Sequence, residues 1–185
     1  LWIIAGLGNP GREYEQTRHN LGFKAVDEVA ERIHTGFKTS GNYLISEGFI
    51  GQKKVVLIKP LTFMNLSGDA VSKVLSYYKC EPEHLVVIHD DMDIETGRMK
   101  IKMGGGSGGH KGIESIIASI GEREFLRIKI GIGRPDHNNV EGYVLSKIRG
   151  RDQDLLNDMV LKAADAAESI VLDGREKAMN NFNTD

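Results

Sequence analysis

The chain has 185 residues, of which 40% are apolar and 27% charged, a composition that excludes a disordered or collagen-like protein. At about 150 residues per domain the length fits a single domain able to bury a core without a disulfide or a metal. Twenty-four basic and 26 acidic residues leave a formal charge of −2, which by itself argues against a polyanionic partner, whereas the 22 glycines exceed the usual share of about 7%.

Residues 2–5 (WIIA) read as a short buried strand that ends at Gly6. The run is too short to span a bilayer and has no basic leader, and no other stretch is long and apolar enough to do so. Val26, Val29, Ala30 and Ile33 recur at helical spacing and predict a first helix over 21–33. Residues 43–50 and 53–59 predict two strands joined by a turn at Gly51-Gln52. Ser67 is expected to cap a second helix with Ala70, Val71, Val74, Leu75 and Tyr78 along its apolar stripe. Residues 85–89 form a short apolar run that meets acidic residues. A third helix follows near 112–120, and a long C-terminal helix carries Leu155, Met159, Ala163, Ala166 and Ile170. Strands interleaved with helices predict an α/β fold, one domain with a twisted, mostly parallel or mixed sheet flanked by helices. Cys80 is the single cysteine, expected to be a structural thiol of a reducing cytoplasm.

Two later strands are chemically two-faced. In residues 98–103 Arg98, Lys100 and Lys102 alternate with apolar side chains, and in 126–132 Arg127 and Lys129 do the same. The segment 97–134 holds eight cations and three acids, a local charge of +5, so a polyanion has a place to bind despite the negative total. Lys100, Lys102, Lys111, Arg127 and Lys129 are the candidate phosphate contacts.

Residues 6–11 (GLGNPG) match the dinucleotide-binding pattern G-x-G-x-x-G. That site needs a helix to open inside the motif, yet Pro10 restricts Asn9 to extended geometry and helical spacing starts only near 21. The segment is better read as a turn that displays Asn9 at the carboxyl end of the first strand. Residues 104–112 hold six glycines ahead of a helix, a loop that is either a mobile lid or a place of close approach to a ligand such as phosphate.

His19 lies in a polar stretch before the first helix, and Asp90 ends an apolar strand. A carboxylate behind a histidine fixes its tautomer and stabilises the imidazolium as it forms. No nucleophile-elbow serine accompanies the pair, so the attacking group is expected to be water, with His19 as general base. Asn9 and Asn65 are amides able to grip a peptide or an oxyanion. A metal reading on His89, Asp91 and Asp93 is weaker, because no second histidine has helical ligand spacing.

Taken together, residues 6–11, Tyr14 with 17–20 (TRHN), 62–68 (TFMNLSG), 89–91 (HDD), 104–110 (GGGSGGH) and 130–133 (IGIG) resemble bacterial-type peptidyl-tRNA hydrolases, in the family's order. The resemblance runs from the first strand to about residue 180. It implies a monomeric, cytoplasmic α/β enzyme without metal or cofactor, whose nucleic-acid partner is peptidyl-tRNA and which cleaves the ester between the peptide and the 3′-terminal ribose. By motif position His19 would be the base and Asp90 would hold it. Asn9 would help distinguish blocked from free aminoacyl-tRNA, Tyr14, Phe63 and Asn65 would contact substrate, and Met64 would stand beside the cleft. Two departures accompany the match. Lys111 replaces the asparagine that usually follows the loop histidine, and lysine cannot accept a hydrogen bond; residues 180–185 lack the basic tail of many relatives. A non-catalytic RNA-binding protein of the same fold is the alternative, with a dinucleotide-dependent oxidoreductase a distant third.

Overall fold

The structure is a computed structural model and describes residues 1–183; Thr184 and Asp185, the end of the tail noted above, lie outside the described residues. A seven-stranded mixed sheet runs in the order β2-β3-β4-β1-β5-β7-β6. Its centre is parallel: β1 (Trp2–Gly6) lies between β4 (Lys53–Pro60) and β5 (Leu85–Asp91), and β5 pairs with β7 (Leu126–Gly131). The outer pairs are antiparallel, with β2 (Lys38–Ser40) on β3 (Tyr43–Ile50), β3 on β4, and β6 (Met99–Met103) on β7.

Both sheet faces are covered, which explains the near-continuous apolar runs of the central strands. Ile4, Leu57, Val86 and Ile88 face one core with α1 (Leu21–Arg32), α5 (Arg151–Asp173) and α6 (Arg175–Phe182). Ile3, Ala5, Val56, Ile58 and Val87 face a second core with α2 (Ser67–Tyr78) and α3 (Lys111–Ile120). A short α4 (Val140–Val144) follows β7. Period-two alternation along each strand therefore feeds two cores, one on each side.

The carboxyl end of β1 meets the start of α1 without side chains between them. A Cβ on Gly6 would lie 2.2 Å from the Gly22 carbonyl oxygen, and one on Gly22 would lie 2.3 Å from that of Ile88. This contact sets the height at which the residues ahead of α1 stand over the sheet.

One local expectation is corrected and three features are added. The three-residue edge strand β2 is too short to leave a pattern in sequence. Ser67 is the first helical residue of α2 rather than its cap; its hydroxyl donates back to the Met64 carbonyl at 2.7 Å. The C-terminal helix breaks at Gly174 (φ 92°) into α5 and α6. The apolar run 85–89 extends as strand through Asp90 and Asp91. After α6 the side chain of Asn183 turns onto β6, where Oδ1 accepts from the Ile101 N–H and Nδ2 donates to the Ile101 carbonyl, both at 2.8 Å. Among the described residues no helix is long and apolar enough to cross a membrane.

Candidate active site

His19 sits in a 3-10 turn, Arg18–Asn20, directly ahead of α1. Arg18 pins that turn: its guanidinium donates to Ser146 Oγ at 2.7 Å and Asp152 Oδ2 at 3.3 Å, and lies 4.6 Å over the Tyr143 ring. Asp90 projects from the end of β5 and is 2% exposed. His19 Nδ1 lies 3.0 and 2.9 Å from the two carboxylate oxygens of Asp90. An acceptor-only carboxylate at that nitrogen requires Nδ1 to carry the proton, which leaves Nε2 as the basic nitrogen towards the cleft that His19 lines.

The electrostatics follow from burial and charge in opposition. Burial disfavours the imidazolium of His19, but the charge and hydrogen bond of Asp90 outweigh it and raise the pKa above the ordinary histidine value. Burial likewise opposes ionisation of Asp90, yet the two imidazoles beside it hold its carboxyl well below the usual range.

The second imidazole is His110, which sequence reasoning placed only in a glycine loop. Its Nε2 lies 2.9 Å from Asp90 Oδ1, while its Nδ1 accepts from the backbone N–H groups of Gly112 (3.1 Å) and Ile113 (3.3 Å). His110 is thus the N-cap of α3, with an imidazole nitrogen doing what a Ser or Asp oxygen usually does. The cap fixes the tautomer: two N–H donors occupy Nδ1, so the ring proton is on Nε2 and points at Asp90. His89 is also buried; its Nδ1 lies 2.7 Å from the Asp90 carbonyl and its ring packs on His110 at 4.8 Å. Burial pushes the pKa of His89 well below the ordinary value.

His19, Asp90 and His110 also form the one three-ligand cluster among the described residues. A metal on His110 Nε2 would need that lone pair free, and the ring proton would then move to Nδ1 against two backbone N–H donors. The cap therefore favours the tautomer in which His110 Nε2 donates to Asp90. The set His89, Asp91 and Asp93 does not converge: His89 is buried, Asp91 lies 3.4 Å from the Lys129 ammonium, and Asp93 pairs with Arg134 beyond the strand.

The cleft has a volume of about 690 Å³ and is lined by Asn9, Tyr14, His19, Phe63, Met64, Asn65, Asp90, His110 and Lys111, among others. Every candidate catalytic or substrate residue on His19, Asp90, Asn9, Tyr14, Phe63, Met64 and Asn65 reaches it. After the first glycine turn the chain makes a 3-10 turn, Arg12–Tyr14, and no α-helix opens before Leu21, so the geometry of a dinucleotide loop is missing. Asn9 is held from three sides. Asn20 accepts from its backbone N–H (2.8 Å) and donates to its carbonyl (2.9 Å), and its Oδ1 accepts from the Met64 N–H at 2.7 Å. The bonded oxygen fixes the amide so that Nδ2, with no partner among the described residues, is its free donor. Tyr14 and Phe63 meet edge to face at 6.4 Å. Asn20 was not singled out from sequence, although it stands next to His19 in the TRHN segment.

The basic face is smaller than the alternation implied. Lys100 and Lys102 are exposed on β6. Arg127 is not: it is 1% exposed, stacks 4.5 Å over Phe125, and donates to the carbonyls of Gly106, Gly105 (2.7 Å) and Arg123 (3.1 Å). Its guanidinium braces the glycine loop and is withdrawn from phosphate. The loop folds over that face of β7, which alternation alone could not foretell. Lys129 is half-buried and turned to Asp91, so it too is corrected from a free cation to a paired one.

Comparison with known proteins identifies the family. The family model described as peptidyl-tRNA hydrolase matches residues 3–185. The peptidyl-tRNA hydrolase of Clostridium novyi is 44% identical over 99% of this chain and 98% of its own, and that of Thermodesulfovibrio yellowstonii 46% identical over 98% of each. The crystal structure of peptidyl-tRNA hydrolase from Acinetobacter baumannii superposes with a TM-score of 0.94 at 36% identity, covering all of this chain and 95% of that one. With its whole length matched in both sequence and structure, the chain belongs to the peptidyl-tRNA hydrolase family.

Proposed function

We propose that this protein hydrolyses the ester bond between a peptide and the 3′-terminal ribose of tRNA, with water activated by His19. The observation that carries the reading is the orientation of His19, whose Nδ1 is bound by Asp90 at 2.9 and 3.0 Å while the ring lines an open cleft. Nε2 takes a proton from water as the oxygen attacks the ester carbonyl. The imidazolium, stabilised by Asp90, then returns that proton to the departing ribose oxygen. An ester has a better leaving group than an amide, so activated water suffices without a covalent intermediate.

Asn9 and Asn65 supply amide donors for the carbonyl oxygen as it gains charge, and the fixed Asn9 amide can read a peptide bond that a free amino ester lacks. The exposed Lys100 and Lys102 are suited to the tRNA backbone, recognised by charge and shape rather than sequence. The reading includes one domain acting as a monomer in the cytoplasm without a metal or cofactor, in keeping with a single cysteine and a proton-ordered His–Asp–His cluster.

The test is release of amino acid from N-acetyl-aminoacyl-tRNA beside its unblocked counterpart. Turnover of the blocked substrate alone, lost in His19→Ala and unchanged by excess chelator, is expected. Binding of blocked tRNA with no hydrolysis would instead favour the RNA-binding alternative, and chelator-sensitive turnover would move the chemistry to a metal.

A further inference from the structure

His89 is a buried histidine to which the proposed reaction assigns no part. It is 2% exposed, directly precedes Asp90 on β5, and its ring meets that of His110 edge to face with 4.8 Å between centroids. Its place follows from where β1 stops. The last residue of β5 paired with β1 is Ile88, opposite Gly6, and the Ile88 carbonyl accepts from the Leu7 N–H at 3.1 Å. Beyond that point β1 leaves the sheet as the glycine turn that displays Asn9, whereas β5 runs on beside β7 through Asp91. Carbonyls alternate in direction along a pleated strand. That of Asp91 accepts from the Ile132 N–H on the β7 side, at 2.9 Å, so that of Asp90 faces the side that β1 has left.

The side chain of His89 takes the place of the missing strand. Its Nδ1 lies 2.7 Å from the Asp90 carbonyl oxygen, and since a carbonyl only accepts, Nδ1 carries the proton and donates. The sheet thereby gains one more rung at the residue whose carboxylate orients His19. Nε2 is left with a lone pair that no group among the described residues meets. A buried polar atom without a partner is unfavourable, and a phenylalanine would fill the space against His110 without one. What a histidine adds at this position is the Nδ1–H. Burial, together with the neighbouring His110 and Lys129, disfavours the imidazolium, so Nδ1 is the only donor of the ring.

We propose that His89 is a positioning residue of the hydrolytic site, whose Nδ1–H holds the peptide plane of Asp90 where β1 no longer does and so keeps the Asp90 carboxylate on His19. The proposal rests on the hydrolase reading for the reaction that it serves. His89 acts through the backbone of Asp90, on the far side of the carboxylate from the cleft, and its influence falls on the base rather than on substrate binding.

Substitutions that move or remove the donor test it. Asparagine puts an amide NH2 where Nδ1 stands, glutamine puts one nearer to Nε2, and phenylalanine keeps a ring with no donor. Steady-state kcat and KM on N-acetyl-aminoacyl-tRNA are measured on the alkaline plateau, with thermal melts beside them. His89→Phe and His89→Gln are expected to lower kcat about tenfold with KM unchanged. His89→Asn should stay within about threefold of the wild type in kcat, although it loses the ring against His110 and melts at a lower temperature. Equal kcat in the three variants, or an order that follows melting temperature with His89→Phe the most active, overturns the proposal. Imidazole nitrogen NMR of the wild-type protein supplies a reading that needs neither substrate nor variant: His89 is expected neutral with its proton on Nδ1, and His110 with its proton on Nε2. A His89 proton on Nε2 overturns the assignment whether or not the variants fold. Hydrolysis by the wild type decides the enzyme reading separately from the tautomer.

Discussion

Replacing Asp90 by asparagine removes one charge and one acceptor while keeping the shape of the side chain. In the wild type the carboxylate accepts from His19 Nδ1 and His110 Nε2, all at 2.9–3.0 Å. His110 cannot rearrange, because its other nitrogen caps α3, so it retains its claim on the one remaining oxygen. The introduced amide NH2 then faces His19 Nδ1 and favours the tautomer with the proton on Nε2, which blocks the base. The larger loss is electrostatic. Opposite unit charges about 4 Å apart attract by about 4 kcal/mol at an effective dielectric near 20, and this attraction exists only once His19 has taken a proton. Its removal raises the barrier by about 4 kcal/mol, or about a thousandfold in rate. Steady-state kcat/KM on N-acetyl-aminoacyl-tRNA, followed across pH on folded Asp90→Asn, checks both parts. The fall should come in kcat, and the residual activity should titrate at lower pH than the wild type, since burial then acts on His19 without Asp90 to oppose it. A variant within about tenfold of wild type, or one with an unshifted profile, would refute the argument that Asp90 stabilises the imidazolium.

For the wild type, the raised pKa of His19 means that the basic form is lost as pH falls through a value above 6.5; kcat/KM should rise with pH through a midpoint on the alkaline side of free histidine, and a midpoint below 6.5 would contradict the His19–Asp90 coupling. The two classes of cation on the basic segment should separate by salt dependence. Lys102→Glu is expected to weaken tRNA binding and flatten its dependence on salt concentration by about one charge. Arg127→Met should instead loosen the loop that carries His110 and lower kcat and melting temperature with the salt slope unchanged. Filter binding of tRNA across salt, beside thermal melts, decides it; a flattened slope in Arg127→Met would restore that residue to the phosphate face.

The parts of the site that sequence revealed are those set by one strand and its end. An apolar run followed by acids marks β5 and places Asp90 at its carboxyl edge, and a polar segment ahead of a helical stripe places His19 near the same edge. What escaped notice depends on packing between distant segments. His110 lies 20 residues beyond Asp90, and it caps α3 through a ring nitrogen that no capping pattern anticipates. Arg127 obeys the alternation that suggested an outward cation, but alternation assigns only two faces and does not say what covers either. Here the glycine loop covers one, and the arginine beneath it satisfies carbonyls that glycine's bare backbone leaves exposed. The break at Gly174 hid inside a stretch otherwise suited to helix on both sides.

The edges of the sheet bear on how this chain meets copies of itself. A terminal strand ordinarily offers a row of unpaired peptide groups onto which another strand can add. On β6 the place of that incoming strand is partly taken at Ile101, where the amide of Asn183 presents the same donor and acceptor as a peptide group. Lys100 and Lys102 flank that position with charge, and the opposite edge, β2, is only three residues long. One side chain beyond the last helix thus imitates an eighth strand for the length of a single residue, and the lysines suited to tRNA also discourage fibrillar growth from the same edge.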